Sequence, residues 1–193
     1  MPGSRRRSVR RFATRSAVAA ILAWTRASFG APQANLGATV GVAVTDVAGP
    51  RAASAAFHLG ARGDVLFLRE RGRDMAVGPY VDVATAGFGD VDVGGGAEWL
   101  LPVRDDVPAV LSAGAFWRDG GGYAWAPGLE TTVFLGSRSY NFHSLYEIAA
   151  GLFAQGRWVA RTPGTFDCVF GVQVDGELLM LPALWLVQLV KGS

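Results

Sequence analysis

His143, Ser144 and Glu147 are the residues of this chain whose types together could do covalent chemistry. A histidine can take a proton from a serine hydroxyl while a carboxylate orients the ring, which is how an acyl hydrolase activates its nucleophile. On an extended strand His143 and Glu147, four residues apart, share a face, but Ser144 points to the other one. The serine meets the histidine only where a bulge re-aims it. The plainer expectation is a histidine paired with a carboxylate in the interior of a sheet. The preceding segment, Ser137 to His143, crowds polar and aromatic residues into a turn, where side chains cap backbone groups.

The other candidates are weaker. His58, Arg62 and Asp64 fall on one face at strand spacing and read as an ion-pair cluster. Two histidines in the whole chain, on separate segments, are a poor basis for a transition-metal site. The run Asp90-Val91-Asp92, followed by Gly94-Gly95-Gly96, lacks the ligand spacing of a calcium loop. Those glycines better suit a crowded sheet wall. Cys168 is the single cysteine, so no internal disulfide can form, and in an apolar strand it serves as a small hydrophobe. There is no phosphate loop, dinucleotide fingerprint, nucleophile elbow or zinc motif. Neither a metal nor a cofactor is expected.

What must position these residues is a set of strands. From residue 36 onward apolar and polar residues alternate with period two, as in a strand with two unlike faces. Between Ala53 and Leu68 one face carries Phe57, Leu59, Val65 and Phe67, and the other His58, Arg62 and Asp64. The same pattern predicts strands over Leu36–Val47, Met75–Thr85, Val91–Leu101, Ala109–Arg118, Trp125–Leu135, His143–Trp158 and Phe166–Glu177. Short connections rich in Gly, Pro and Asp separate them, as in an antiparallel meander. Eight such strands close most simply into an up-and-down barrel. The expected fold is therefore all-β: an eight-stranded antiparallel up-and-down β-barrel, of membrane type for the reasons below. The tail, residues 178–193, is apolar on both faces and carries Pro182.

Charge divides the chain. The net charge is +2, yet seven arginines and no acidic residue precede residue 32, so the remainder carries −5. A nucleic-acid partner is not expected. Residues 1–31 have the order of a secretory signal: arginines, the apolar run Ala17–Trp24, then the small residues Ser28, Gly30 and Ala31. That run is well short of the ~20 residues of a spanning helix. Residues 32–193 form the single expected barrel domain.

Three features orient the two faces. The polar face is dominated by small residues, and lysine is missing from every expected strand, unlike a solvated surface. Its charges are of both signs and suit an interior polar network: His58, Arg62, Asp64, Asp82, Asp92, Glu98, Arg118, Glu130, His143, Glu147, Arg157 and Asp175. The carboxylates outnumber the arginines, so some are expected at the rims. The apolar face carries Trp99, Trp117, Trp125 and Trp158 near strand ends, where aromatics meet a membrane interface.

On this pattern, over roughly residues 36–177, the chain resembles the small eight-stranded outer-membrane β-barrel proteins. The resemblance implies export to the bacterial outer membrane, outer-membrane lipid as the surrounding partner, and a structural or narrow, porin-like role without catalysis. Lipid A deacylases of that membrane use a His, a Ser and a Glu, so a lipid-modifying hydrolase at His143, Ser144 and Glu147 is one alternative. In them the His and Ser lie two apart on the lipid-facing surface; here they are adjacent. The other alternative is a soluble exported barrel enclosing a hydrophobic small molecule. The oligomeric state does not follow from the sequence.

Overall fold

A computed structural model of the chain describes residues 31–48, 52–104, 107–120, 123–139, 147–160 and 165–179. The expected leader, apart from residue 31, and the tail from residue 180 lie outside the described residues.

Period-two alternation becomes eight strands: β1 (Gln33–Thr45), β2 (Ser54–Leu66), β3 (Ala76–Ala86), β4 (Asp90–Arg104), β5 (Val107–Gly120), β6 (Tyr123–Arg138), β7 (Ala149–Val159) and β8 (Thr165–Asp175). Each pairs antiparallel with its successor, and β1 also pairs with β8 through Ala38↔Val174 and Val42↔Phe170. The result is a closed barrel in chain order. Closure leaves no strand edge with unpaired backbone groups. We call the end where β1 begins and β8 finishes proximal, and the opposite end distal.

Register holds the two faces apart, because a slip of one residue would invert every side chain. Leu36, Val40, Phe57, Leu59, Val81, Leu129, Leu152 and Phe170 point outward and are exposed, whereas Asn35, Thr39, His58, Arg62, Asp64, Asp92 and Glu98 point inward and are buried. Among the described strand residues, the only exposed charged side chains are Arg104 and Asp119, each near a strand end. The β3–β4 turn is tight: Gly87 and Phe88 take φ of 60° and 58°, and the Gly89 N–H donates to the Ala86 carbonyl at 3.3 Å. Two consecutive left-handed residues are the mark of a type I′ hairpin turn, whose twist matches the strands.

Several expectations from the sequence are corrected. β7 begins at Ala149, so Glu147 and Ile148 precede the strand rather than belong to it. β8 ends at Asp175, and residues 176–179 form a helical turn, so Glu177 is not on the strand. Leu68 lies beyond β2 with φ of 71°. The inward face is also not purely polar. Leu66, Leu100, Val110, Phe134, Phe153 and Val169 are buried in the lumen as one cluster, and Phe116 packs with Ala126 and Val159 in another. An eight-stranded barrel is just wide enough for side chains to fill, and charged side chains alone do not fill it without voids.

Inward glycines make room for those rings. A Cβ on Gly128 would fall 2.5 Å from the Phe116 ring and 2.6 Å from the Trp158 carbonyl oxygen. Neither neighbour can withdraw far, since one is a buried ring and the other is backbone. Gly128→Ala is expected to destabilise the barrel by about 1–3 kcal/mol through overpacking. Gly89→Ala, where a Cβ would meet nothing within 4 Å, serves as the control. Unfolding midpoints in urea check this: a lowered midpoint at Gly128 with an unchanged one at Gly89 is the expected pair.

Candidate functional site

The chemistry-bearing residues converge in the lumen, where strand alternation aims them at one axis. From the proximal end, the β2–β3 connection turns Arg69 back into the barrel mouth. There its Nη1 donates to Glu147 Oε2 at 2.9 Å, both side chains fully buried. Asn35 ties the same mouth together, with Nδ2 donating to the Glu147 carbonyl (2.8 Å) and to Asp175 Oδ2 (2.6 Å). The Glu147 N–H donates to the Ala34 carbonyl at 2.9 Å, which fixes Glu147 against β1 at the opening. Burial pushes the Glu147 carboxyl above the usual carboxylate range, against the pull of Arg138 and Arg69.

Deeper in, Arg138 touches three carboxylates: Asp64, Glu98 Oε1 at 3.5 Å and Glu147 Oε1 at 2.5 Å. Arg62 pairs with the other Glu98 oxygen at 3.0 Å and lies 3.7 Å over the Tyr80 ring. The Tyr80 hydroxyl donates to Glu130 Oε1 at 2.9 Å. Toward the distal end Arg157 reaches Glu130 (3.4 Å), Asp82 (3.3 Å) and Asp92 (2.6 Å). Arg118 then joins Asp92 (2.6 Å) to Asp167 (2.5 Å). The Asp46 N–H closes the series by donating to Asp167 Oδ1 at 2.9 Å. One connected network thus threads the lumen from mouth to mouth.

Among the described residues, five lumen arginines (62, 69, 118, 138, 157) pair with eight carboxylates (64, 82, 90, 92, 98, 130, 147, 167), and Asp175 is buried with them. Some of these carboxylates lie at the mouths, Glu147 and Asp175 proximally and Asp92 and Asp167 distally, while Asp82, Glu98 and Glu130 lie further inside. Neutral donors share the load: Asn35 on Asp175, Tyr80 and Gln155 on Glu130, and backbone N–H groups on Asp167 and Asp175. Buried charge is tolerated only when paired and hydrogen-bonded in this way.

His58 is buried beside Thr39, its Nε2 3.2 Å from the Thr39 hydroxyl, and does not join Arg62 and Asp64 in a cluster. His143 and Ser144 lie outside the described residues, and the carboxylate of Glu147 is engaged by Arg69 and Arg138. Asp92 is bound by Arg118 and Arg157, while Gly94 to Gly96 sit in β4. A Cβ on Gly94 would come within 2.6 Å of Asp82 Oδ1 and 3.1 Å of Glu130 Oε1, so this glycine clears space for the network. Trp117, Trp125 and Trp158 project outward near the distal end and Trp99 near the proximal end.

Sequence reasoning left Arg69, Arg138 and Asp167 out of the network, along with the inward rings Phe116, Phe134 and Phe153. Asp167 sits at the right parity and could have been included. Arg69 and Arg138 both look like turn residues, but the chain beyond β2 curls Arg69 into the mouth, whereas β6 runs on to Arg138 and its alternation points that side chain inward. No protein-family model, curated protein or solved structure matches this chain.

Removing one member of a buried ionic cluster strands its partners without compensation. Arg138→Met is expected to destabilise the barrel by about 3–5 kcal/mol. Adding Asp64→Asn should restore part of that loss, because the two residues share one interaction. Chemical unfolding of the wild type, both single variants and the double variant measures the coupling. Strict additivity would contradict it.

Proposed function

We propose that this chain is an outer-membrane β-barrel of structural type, exported and held in lipid, whose lumen is too full to pass bulk solute. One observation carries the reading: the outer face of eight strands presents exposed aliphatic and aromatic side chains, with charge only at Arg104 and Asp119. Strands of 11–16 residues meet or exceed the ~9–11 that a tilted strand needs to cross the hydrocarbon layer. An apolar exterior of this extent is favourable against acyl chains and unfavourable against water.

Other features agree. The outward tryptophans supply rings suited to the level of the headgroups. The secretory-type leader in the sequence suits an exported chain. The lumen, filled by ion pairs and rings, suits an anchor or scaffold better than a pore. The soluble alternative needs an interior that welcomes a hydrophobic ligand. Here the inward side chains are charged or closely packed, and two cavities inside measure only about 10 Å³ each.

Replacing Val81, exposed in the middle of β3, by arginine tests the environment of that face. In a bilayer Val81→Arg is expected to cost about 2–4 kcal/mol of folding free energy, as for arginine near the midplane of a membrane barrel. Folding titrations into lipid vesicles read the cost. A variant that folds as well as the wild type and stays in solution without detergent would sink the membrane reading. In planar bilayers the wild type should show no large, steady current carried by dissolved salt.

A further inference from the structure

The chain enters the barrel abruptly. Ala31 and Pro32 are exposed and outside any strand, whereas Gln33 opens β1 and is only 2% exposed. Gln33 Oε1 accepts from Arg69 Nη1 at 3.3 Å, the Ala34 carbonyl accepts from the Glu147 N–H, and Asn35 Nδ2 donates to Asp175. From Gln33 onward the chain is therefore locked into the proximal mouth. Pro32 has no N–H to add to a ladder, so strand pairing does not run back through it. The unit that contains the barrel begins at Ala31.

We propose that the bond between Gly30 and Ala31 is a processing site, cut by a membrane-bound export peptidase that requires small residues at the first and third positions before the bond. Gly30 and Ser28 fill those positions. The neighbouring bonds fit less well. A cut after Ala31 would set the Phe29 ring in the third position and would have to open the tertiary amide of Pro32. A cut after Ala27 would set the branched Thr25 in that position. Bonds beyond Pro32 belong to β1 and its buried contacts. In the reaction water adds across the amide: the Gly30 carbonyl carbon gains the hydroxyl and becomes a carboxylate. The C–N bond breaks, and the Ala31 nitrogen takes the proton and becomes the new amino terminus. The cut removes seven arginines and no acidic residue, so the barrel chain carries −5. It also frees the proximal mouth from the apolar run Ala17–Trp24, which otherwise tethers the barrel to the membrane it crossed.

This rests on the export of the chain, and the experiment separates it from the membrane reading. The full chain is expressed in a bacterium with two membranes. Inner-membrane, outer-membrane and soluble fractions are parted on a density gradient, and the chain in each is identified by intact mass and N-terminal sequencing. A chain beginning at Ala31 is expected in the outer membrane. Gly30→Leu puts a bulky side chain before the bond; it should lose that short form and leave uncut chain in the inner membrane. Ala31→Ser, just past the bond, should be processed like the wild type. Both positions precede β1, so neither variant alters the barrel itself. Uncut chain in the outer membrane would overturn the processing alone. A wild-type start at Ser28, or a Gly30→Leu chain that still begins at Ala31, would overturn this site. A chain that begins at Ala31 but stays in solution without detergent would leave the cut standing and overturn the membrane reading.

Discussion

Charge compensation inside a narrow barrel is the constraint on which this structure rests. Eight strands enclose a space that side chains fill, with no room for the bulk water that would otherwise screen ionic groups. Each inward arginine and carboxylate must therefore find its counter-charge across the lumen. Most of the links are long-range in sequence: Arg138 on β6 meets Asp64 on β2, and Arg157 on β7 meets Asp82 on β3 and Asp92 on β4. The network cannot form until the barrel closes, and closing without it would bury unpaired charge. Network and closure depend on each other.

Rings and glycines set the spacing of that network. Tyr80 lies under the Arg62 guanidinium and gives its hydroxyl to Glu130, so one side chain serves both an ionic layer and the next. Phe116 presents its face to Arg118 and Arg157 at 5.6 and 5.5 Å. These distances allow cation–π attraction in a setting where water does not compete. Such rings need space beside them, and Gly94 and Gly128, paired with Phe116 on its two neighbouring strands, and Gly114, next to the Tyr80 hydroxyl, provide it. High glycine content and inward aromatics are two sides of one packing solution.

The two ends are finished differently. Proximally, Arg69 and Glu147 come from connections rather than strands and fold across the opening, tied to β1 through Asn35 and Ala34. Distally, Arg118, Asp92 and Asp167 meet just beneath a turn whose Asp46 N–H caps the last carboxylate. A lumen stoppered at one end and cross-linked at the other suits a barrel that resists bulk flow. The outer surface carries no comparable specificity. Its strands present Val, Leu, Phe, Trp and Ala, with exposed charge among the described strand residues only at Arg104 and Asp119.

Much of the fold was legible in the chain itself. Alternation with period two named eight strands and the residues on each face, since a strand sends successive side chains to opposite sides whatever its neighbours are. The parity of Arg62, Asp64, Asp92, Glu98, Arg118, Glu130 and Arg157 followed from the same rule. Tertiary structure alone decided the partners, because pairing across a closed barrel depends on register and curvature that no local pattern encodes. It moved Glu147 out of β7 into a stopper, brought Arg69 in from a connection, and set His58 beside Thr39 rather than beside Asp64. It also packed Phe116, Phe134 and Phe153 into the volume left between the ion pairs. Alternation separates two faces, and only closure fixes which of them is enclosed and what each enclosed charge meets.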